Sequence, residues 1–92
     1  MRAYAARGRY GTSLRLRYRV SDNSGQTAER ITVYRRSQVL AGFTRRLRAT
    51  DNAVSYWVTW RSRKREAYRF CVRATDRAGN KSRVGCAAVS VR

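Results

Sequence analysis

Cys71 and Cys86 are the chain's only cysteines, and they lie equally far on either side of the Ala78–Gly79 junction. If residues 68–75 and 82–91 form a hairpin about that junction, the two face each other directly. Opposed residues of an antiparallel pair have Cα atoms about 4.5–5.5 Å apart, inside the span a disulfide accepts. The bridge would close a loop of fourteen intervening residues, worth about 3 kcal/mol in the chain-entropy account. It would lie on the outer face of the hairpin, because Cys71 alternates with apolar neighbours. A bridge implies an oxidising compartment; the competing reading is two unrelated thiols.

Other reactive chemistry is sparse. The chain has no His, so the commonest general base is missing. Its acids are Asp22, Glu29, Asp51, Glu66 and Asp76, and three of them sit in turn clusters where capping accounts for them. No spacing suggests a carboxylate pair, and the cysteines read as a bridge rather than as nucleophiles. The chain is therefore expected not to be an enzyme. Two thiolates without His cannot complete a four-coordinate zinc site. Asp76 and Asn80 offer oxygen ligands in one loop, but calcium wants six to eight oxygens with several carboxylates. No metal or cofactor is expected, and Asp76, Gly79 and Asn80 are read as turn formers.

Charge is the dominant feature. Lys and Arg number 22 against 5 acids, a net +17, and all but Lys64 and Lys81 of the basic residues are Arg. Such a surface repels itself and attracts polyanions. Three clusters stand out: Arg61, Arg63, Lys64 and Arg65 in one connection; Arg45, Arg46 and Arg48; and Arg15, Arg17 and Arg19 along one strand. Trp57 and Tyr34 fall on outward positions, where each can stack on a base or a sugar. Against a dedicated site stand two points: the clusters decorate every side, and a chain-wide preference for Arg over Lys suits GC-rich coding. No RNA-recognition or helix-turn-helix signature is present.

These side chains must be held by strands, because the dominant period is two. Leu14, Leu16, Tyr18 and Val20 alternate with Arg15, Arg17 and Arg19, giving one buried and one solvated face. Ser21-Asp22-Asn23-Ser24-Gly25 closes that strand. Ile31 and Val33 mark the next, and residues 39–47 a weaker one. Thr50-Asp51-Asn52 makes another turn. In residues 53–60, Tyr56, Val58 and Trp60 share a face. Residues 61–66 form a polar connection. Tyr68, Phe70, Val72 and Ala74 alternate with Arg69, Cys71 and Arg73, and Ala87, Val89 and Val91 form the last inward face. Residues 2–7 add a first edge strand. About seven short strands separated by turns fit a single β-sandwich domain over residues 1–92. Its expected core is Leu14, Leu16, Tyr18, Val20, Ile31, Val33, Val58, Trp60, Tyr68, Phe70, Val72, Val89 and Val91.

The string Tyr68-Arg69-Phe70-Cys71-Val72-Arg73-Ala74-Thr75-Asp76-Arg77-Ala78-Gly79-Asn80-Lys81-Ser82 resembles the last hairpin of bacterial immunoglobulin-like and fibronectin type III-like modules. Leu16-Arg17-Tyr18-Arg19-Val20-Ser21-Asp22-Asn23-Ser24-Gly25 is similar to their second strand and following turn. The resemblance spans about residues 12–91, and its Arg-rich, cysteine-bridged form is similar to repeats in secreted and surface proteins of actinobacteria. It implies an immunoglobulin-like or fibronectin III-like sandwich of about seven antiparallel strands. Such modules serve as spacers, adhesins and carbohydrate-binding accessories. Tyr68 then stands where a tyrosine corner would hydrogen-bond back to the preceding loop. Phe70 takes the inward position of an antibody domain's core cysteine, a departure that argues against a true antibody-type domain.

No run of apolar residues is long enough to span a membrane, and Met1-Arg2-Ala3-Tyr4 lacks the apolar centre of a secretory signal. The chain is expected to be cytosolic or a piece of a longer exported protein. The leading expectation is a non-catalytic structural or adhesive module at the cell surface. Its partners would be neighbouring domains and anionic cell-wall polymers. A dedicated nucleic-acid or polyanion-binding protein is the alternative.

Overall fold

The computed structural model describes residues 1–20, 26–49, 54–62 and 64–92, with backbone alone at 26, 47–49, 54 and 55. The turns expected at 21–25 and 50–52 lie outside the described residues, as do Arg63 and the side chain of Arg48. Among the described residues there is no helix. The strands are β1 (Arg2–Ala3), β2 (Ala6–Gly8), β3 (Ser13–Val20), β4 (Gln26–Arg35), β5 (Gln38–Ala49), β6 (Val54–Arg61), β7 (Ala67–Asp76) and β8 (Gly85–Val91). They form a three-stranded sheet in the order β1-β3-β6 and a five-stranded sheet in the order β2-β8-β7-β4-β5.

The alternation in the sequence becomes the interior of a sandwich. In β3, burial alternates without a break, leaving Leu14, Leu16, Tyr18 and Val20 inside. Leu14, Leu16 and Tyr18 cluster with Val58 of β6 and, from the facing sheet, Ile31, Val33, Phe70, Val72, Val89 and Val91. Full burial of each such side chain stabilises by about 1.5–3 kcal/mol, which lets a short chain hold two sheets together. Ala74 joins the buried set. Trp60, expected in the core, is only half-buried: it lies near the end of β6 and packs edge-on against Tyr68, ring centroids 4.8 Å apart.

Two features depart from a sandwich of about seven antiparallel strands. The first strand is divided: β1 pairs with β3 in the small sheet, and after Tyr4-Ala5 the chain crosses to pair β2 with β8 in the large one. That makes eight strands among the described residues, and the β2–β8 pairing is parallel. A short edge segment can serve both sheets because each pairing needs only two or three residues.

The two outer edges near β5 and β6 also differ. The β4–β5 ladder is interrupted between Thr27 and Glu29 and again between Val33 and Tyr34. The second interruption leaves Leu40 without a partner residue, as a β-bulge does. The β3–β6 ladder runs in unbroken register from Ser13↔Arg61 to Val20↔Val54. Bulges and arginines blunt the β5 edge against pairing with other chains; β6 instead keeps an unbroken register along its length.

Candidate anionic-polymer interface

The residues with chemical potential fall into four places. The last hairpin comes first, because its register fixes the disulfide. β7 and β8 pair antiparallel with Cys71 opposite Cys86. The two are bridged, with Cα atoms 4.1 Å apart. Phe70 and Val72 on either side are buried and Cys86 is exposed, so the bridge lies on the outer face as the alternation required. The turn beyond it is built by the three expected residues. The Asn80 backbone amide donates to Asp76 Oδ1 at 2.8 Å and the Asn80 side chain donates to Oδ2 at 3.1 Å. Gly79 supplies the positive φ of 88° that the turn needs. Hydrogen bonding to its charged form, led by the Asn80 amide, holds the Asp76 carboxyl below the usual carboxylate range. With both carboxylate oxygens occupied by its own loop, Asp76 acts as a turn former.

The connection before β7 is the second place. Tyr68 Oη donates to the Lys64 carbonyl at 2.7 Å, the back-bond expected of a tyrosine corner. Burial pushes the phenol's pKa up, and the Glu66 carboxylate adds to the rise. The bond clamps the loop so that Arg61 and Lys64 face a recess of about 450 Å³ with Trp60, Tyr68, Leu40 and Arg35. Arg35 was not among the expected residues; it lies within 3.0 Å of Glu66. Arg65 turns away, its guanidinium 5.7 Å from the Tyr10 ring centroid.

The expected cluster of Arg45, Arg46 and Arg48 is not one surface. Neighbours along a strand point to opposite faces, and Arg45 lies opposite Glu29 on the inward side of β4 and β5. Glu29 is 1% exposed, and Tyr18 Oη donates to its Oε1 at 2.9 Å. Arg46 points outward and is exposed. The sequence carried a signal for the buried acid: Thr27, Glu29, Ile31 and Val33 share one alternation, and all four are buried.

The fourth place is the outer face of the three-stranded sheet, which carries Trp57 on the outward side as the alternation required. Trp57 lies opposite Arg17 across the β3–β6 ladder and is 51% exposed. The Arg15 guanidinium is 5.2 Å from its ring centroid, within cation–π range. On the other side of β3, Arg2 lies opposite Arg19 and is 5.3 Å from the Tyr4 ring. The Tyr4 amide donates to the Arg17 carbonyl at 3.0 Å, holding the Tyr4 backbone beside β3. Tyr4, Ala5, Arg15, Arg17, Tyr56 and Trp57 line a recess of about 490 Å³. Arg61 shares the outward side of β6 with Trp57 and is exposed. None of the three strands carries a carboxylate. Such a face can hold anionic groups between guanidinium forks and stack a ring on Trp57.

Among the described residues no group of three or more His, Cys, Asp or Glu converges as metal ligands, and no helix is long and apolar enough to cross a membrane. The chain matches no family model, no curated protein and no solved structure.

Proposed function

We propose that the chain is a non-catalytic β-sandwich module of the immunoglobulin-like or fibronectin III-like kind, part of an extracytoplasmic protein, that holds anionic polymers on the outer face of its three-stranded sheet. One observation carries the binding part: Arg2, Arg15, Arg17, Arg19 and Arg61 share that face with the half-exposed Trp57, on strands without a carboxylate. The back-bonded Tyr68, the inward Phe70 and the Asp76–Asn80 turn support the module reading. The surface disulfide supports an oxidising compartment.

The alternative, a dedicated nucleic-acid or polyanion-binding protein, draws on the same face. A titration separates the two from incidental charge: binding to single-stranded DNA, duplex DNA and an acidic polysaccharide, followed from about 50 to 300 mM salt. The expected result is binding that persists at about 150 mM salt. Uniform binding that vanishes below that concentration marks the charge as generic and removes the interface.

A further inference from the structure

The basic face and the recess beside Lys64 are parts of one surface, joined at Arg61. Along β3 and β6, side chains on one face repeat about every 6.8 Å. Arg19 opens the series, Arg17 and Trp57 share the next level, Arg15 and Thr59 the next, and Ser13 and Arg61 the last. Arg61 also lines the Trp60–Tyr68 recess with Lys64 and Arg35. Cations therefore run from Arg19 to Arg61 over roughly 20 Å and continue into the recess at Lys64 and Arg35. Two tryptophans stand along the run: Trp57, open on the outer face of the sheet, and at the end of β6 the half-buried Trp60, which lines the recess edge-on to the buried Tyr68.

From this arrangement we propose that the track binds single-stranded nucleic acid, with phosphates on the arginines, a base stacked on Trp57 and a second held against the exposed part of Trp60 in the recess. The proposal rests on the polymer-binding reading above and names the polymer. Three features favour a single strand over other polyanions. Its bases are free to turn onto rings, whereas those of a duplex are stacked on each other. An inorganic polyanion offers charge alone, and a sugar polyanion brings only C–H faces to a ring, whereas a base adds a flat π-system that stacks on it. A strand is also narrow enough to follow one row of cations. The two ring sites are about 10 Å apart along β6, three residues at a strand's rise, farther than one nucleotide reaches, so the ligand is an oligomer rather than a mononucleotide.

The experiment compares two labelled oligomers of about eight nucleotides, one of ordinary DNA and one of the same length made wholly of abasic deoxyribose phosphate. Both are titrated with the oxidised full chain at about 150 mM salt. The two carry the same phosphates and differ in bases. The base-bearing strand is expected to bind at least roughly tenfold more tightly. Trp57→Ala, at a half-exposed position the fold does not depend on, should remove most of that advantage while leaving abasic binding unchanged. Trp57→Phe should restore part of it. Equal binding of the two oligomers by the wild type, or a Trp57→Ala variant that keeps the whole advantage, overturns base recognition there. The polymer-binding reading then survives as a matter of charge. Failure of both oligomers to bind at this salt, together with failure of an acidic polysaccharide, removes that reading as well.

Discussion

The two outer faces of the sandwich carry similar charge and use it differently. On the five-stranded sheet, Arg30 donates to Thr44 Oγ1 at 2.9 Å, and the Arg69 guanidinium lies 5.2 Å from the ring of a half-buried Tyr34. The disulfide crosses the same face. Several of its cations are thus braced against neighbours, and the surface helps hold strands together. On the three-stranded sheet, Arg2 lies by a half-buried Tyr4, but the aromatic beside Arg15 and Arg17 is the exposed Trp57, and no covalent bond ties one strand to the next. Each face also opposes like charges across a ladder, Arg30 with Arg73 and Arg2 with Arg19, an arrangement that costs stability until something neutralises it. An alternation of Arg with apolar residues makes a strand in either sheet. What stands beside the arginines across the ladder decides whether the face braces or binds.

The largest expected effect separates the faces by breaking the braced one. Replacing Cys71 and Cys86 together with Ser should cost about 3 kcal/mol, read as a fall in Tm of roughly 12–24 °C for a domain of this size. Affinity for a polyanion at 25 °C should be unchanged, since the bridge is on the opposite sheet. A matching loss of affinity would show that the two faces are not separable.

A smaller effect tests the turn at the end of that hairpin. The folded carboxyl of Asp76 titrates below its ordinary value of 3.8. Its contribution to stability is therefore fully present above that pH and is lost as pH falls through the lowered value. Asp76→Ala should lower Tm at neutral pH and flatten the acid limb of the Tm–pH profile below about pH 4. A variant whose acid limb matches the wild type would contradict the loop geometry.

Much of the large sheet was legible in the sequence because its signals are local. The cysteine spacing and the Gly79–Asn80 turn together fix the register of β7 and β8, and Tyr68 needs only a loop a few residues upstream. The core was legible for a similar reason: strands with one wet face must alternate. Trp60 fell outside it because alternation gives a residue's face but not how far along the strand the facing sheet extends. The division of residues 2–8 between two sheets was hidden, since segments of two and three residues carry no period. The binding face was legible only in its parts. Arg15, Arg17 and Trp57 each read as outward, yet alternation does not say which strands pair, and only the β3–β6 ladder puts Trp57 opposite Arg17. Arg45 was misgrouped for the converse reason: adjacency in sequence to Arg46 places the two on opposite sides of β5.

The division of the sandwich into one face that binds and one that braces sets the two sheets apart. It is tested most directly by two triple variants of equal charge loss, Arg15, Arg17 and Arg61→Gln against Arg46, Arg69 and Arg73→Gln, assayed with one single-stranded oligonucleotide across a salt series. The first should lose at least roughly tenfold in affinity at physiological salt, with its salt slope shallower by about two to three; the second should lose far less. Equal losses and equal slopes would mean that the charge acts diffusely and that the three-stranded sheet holds no interface.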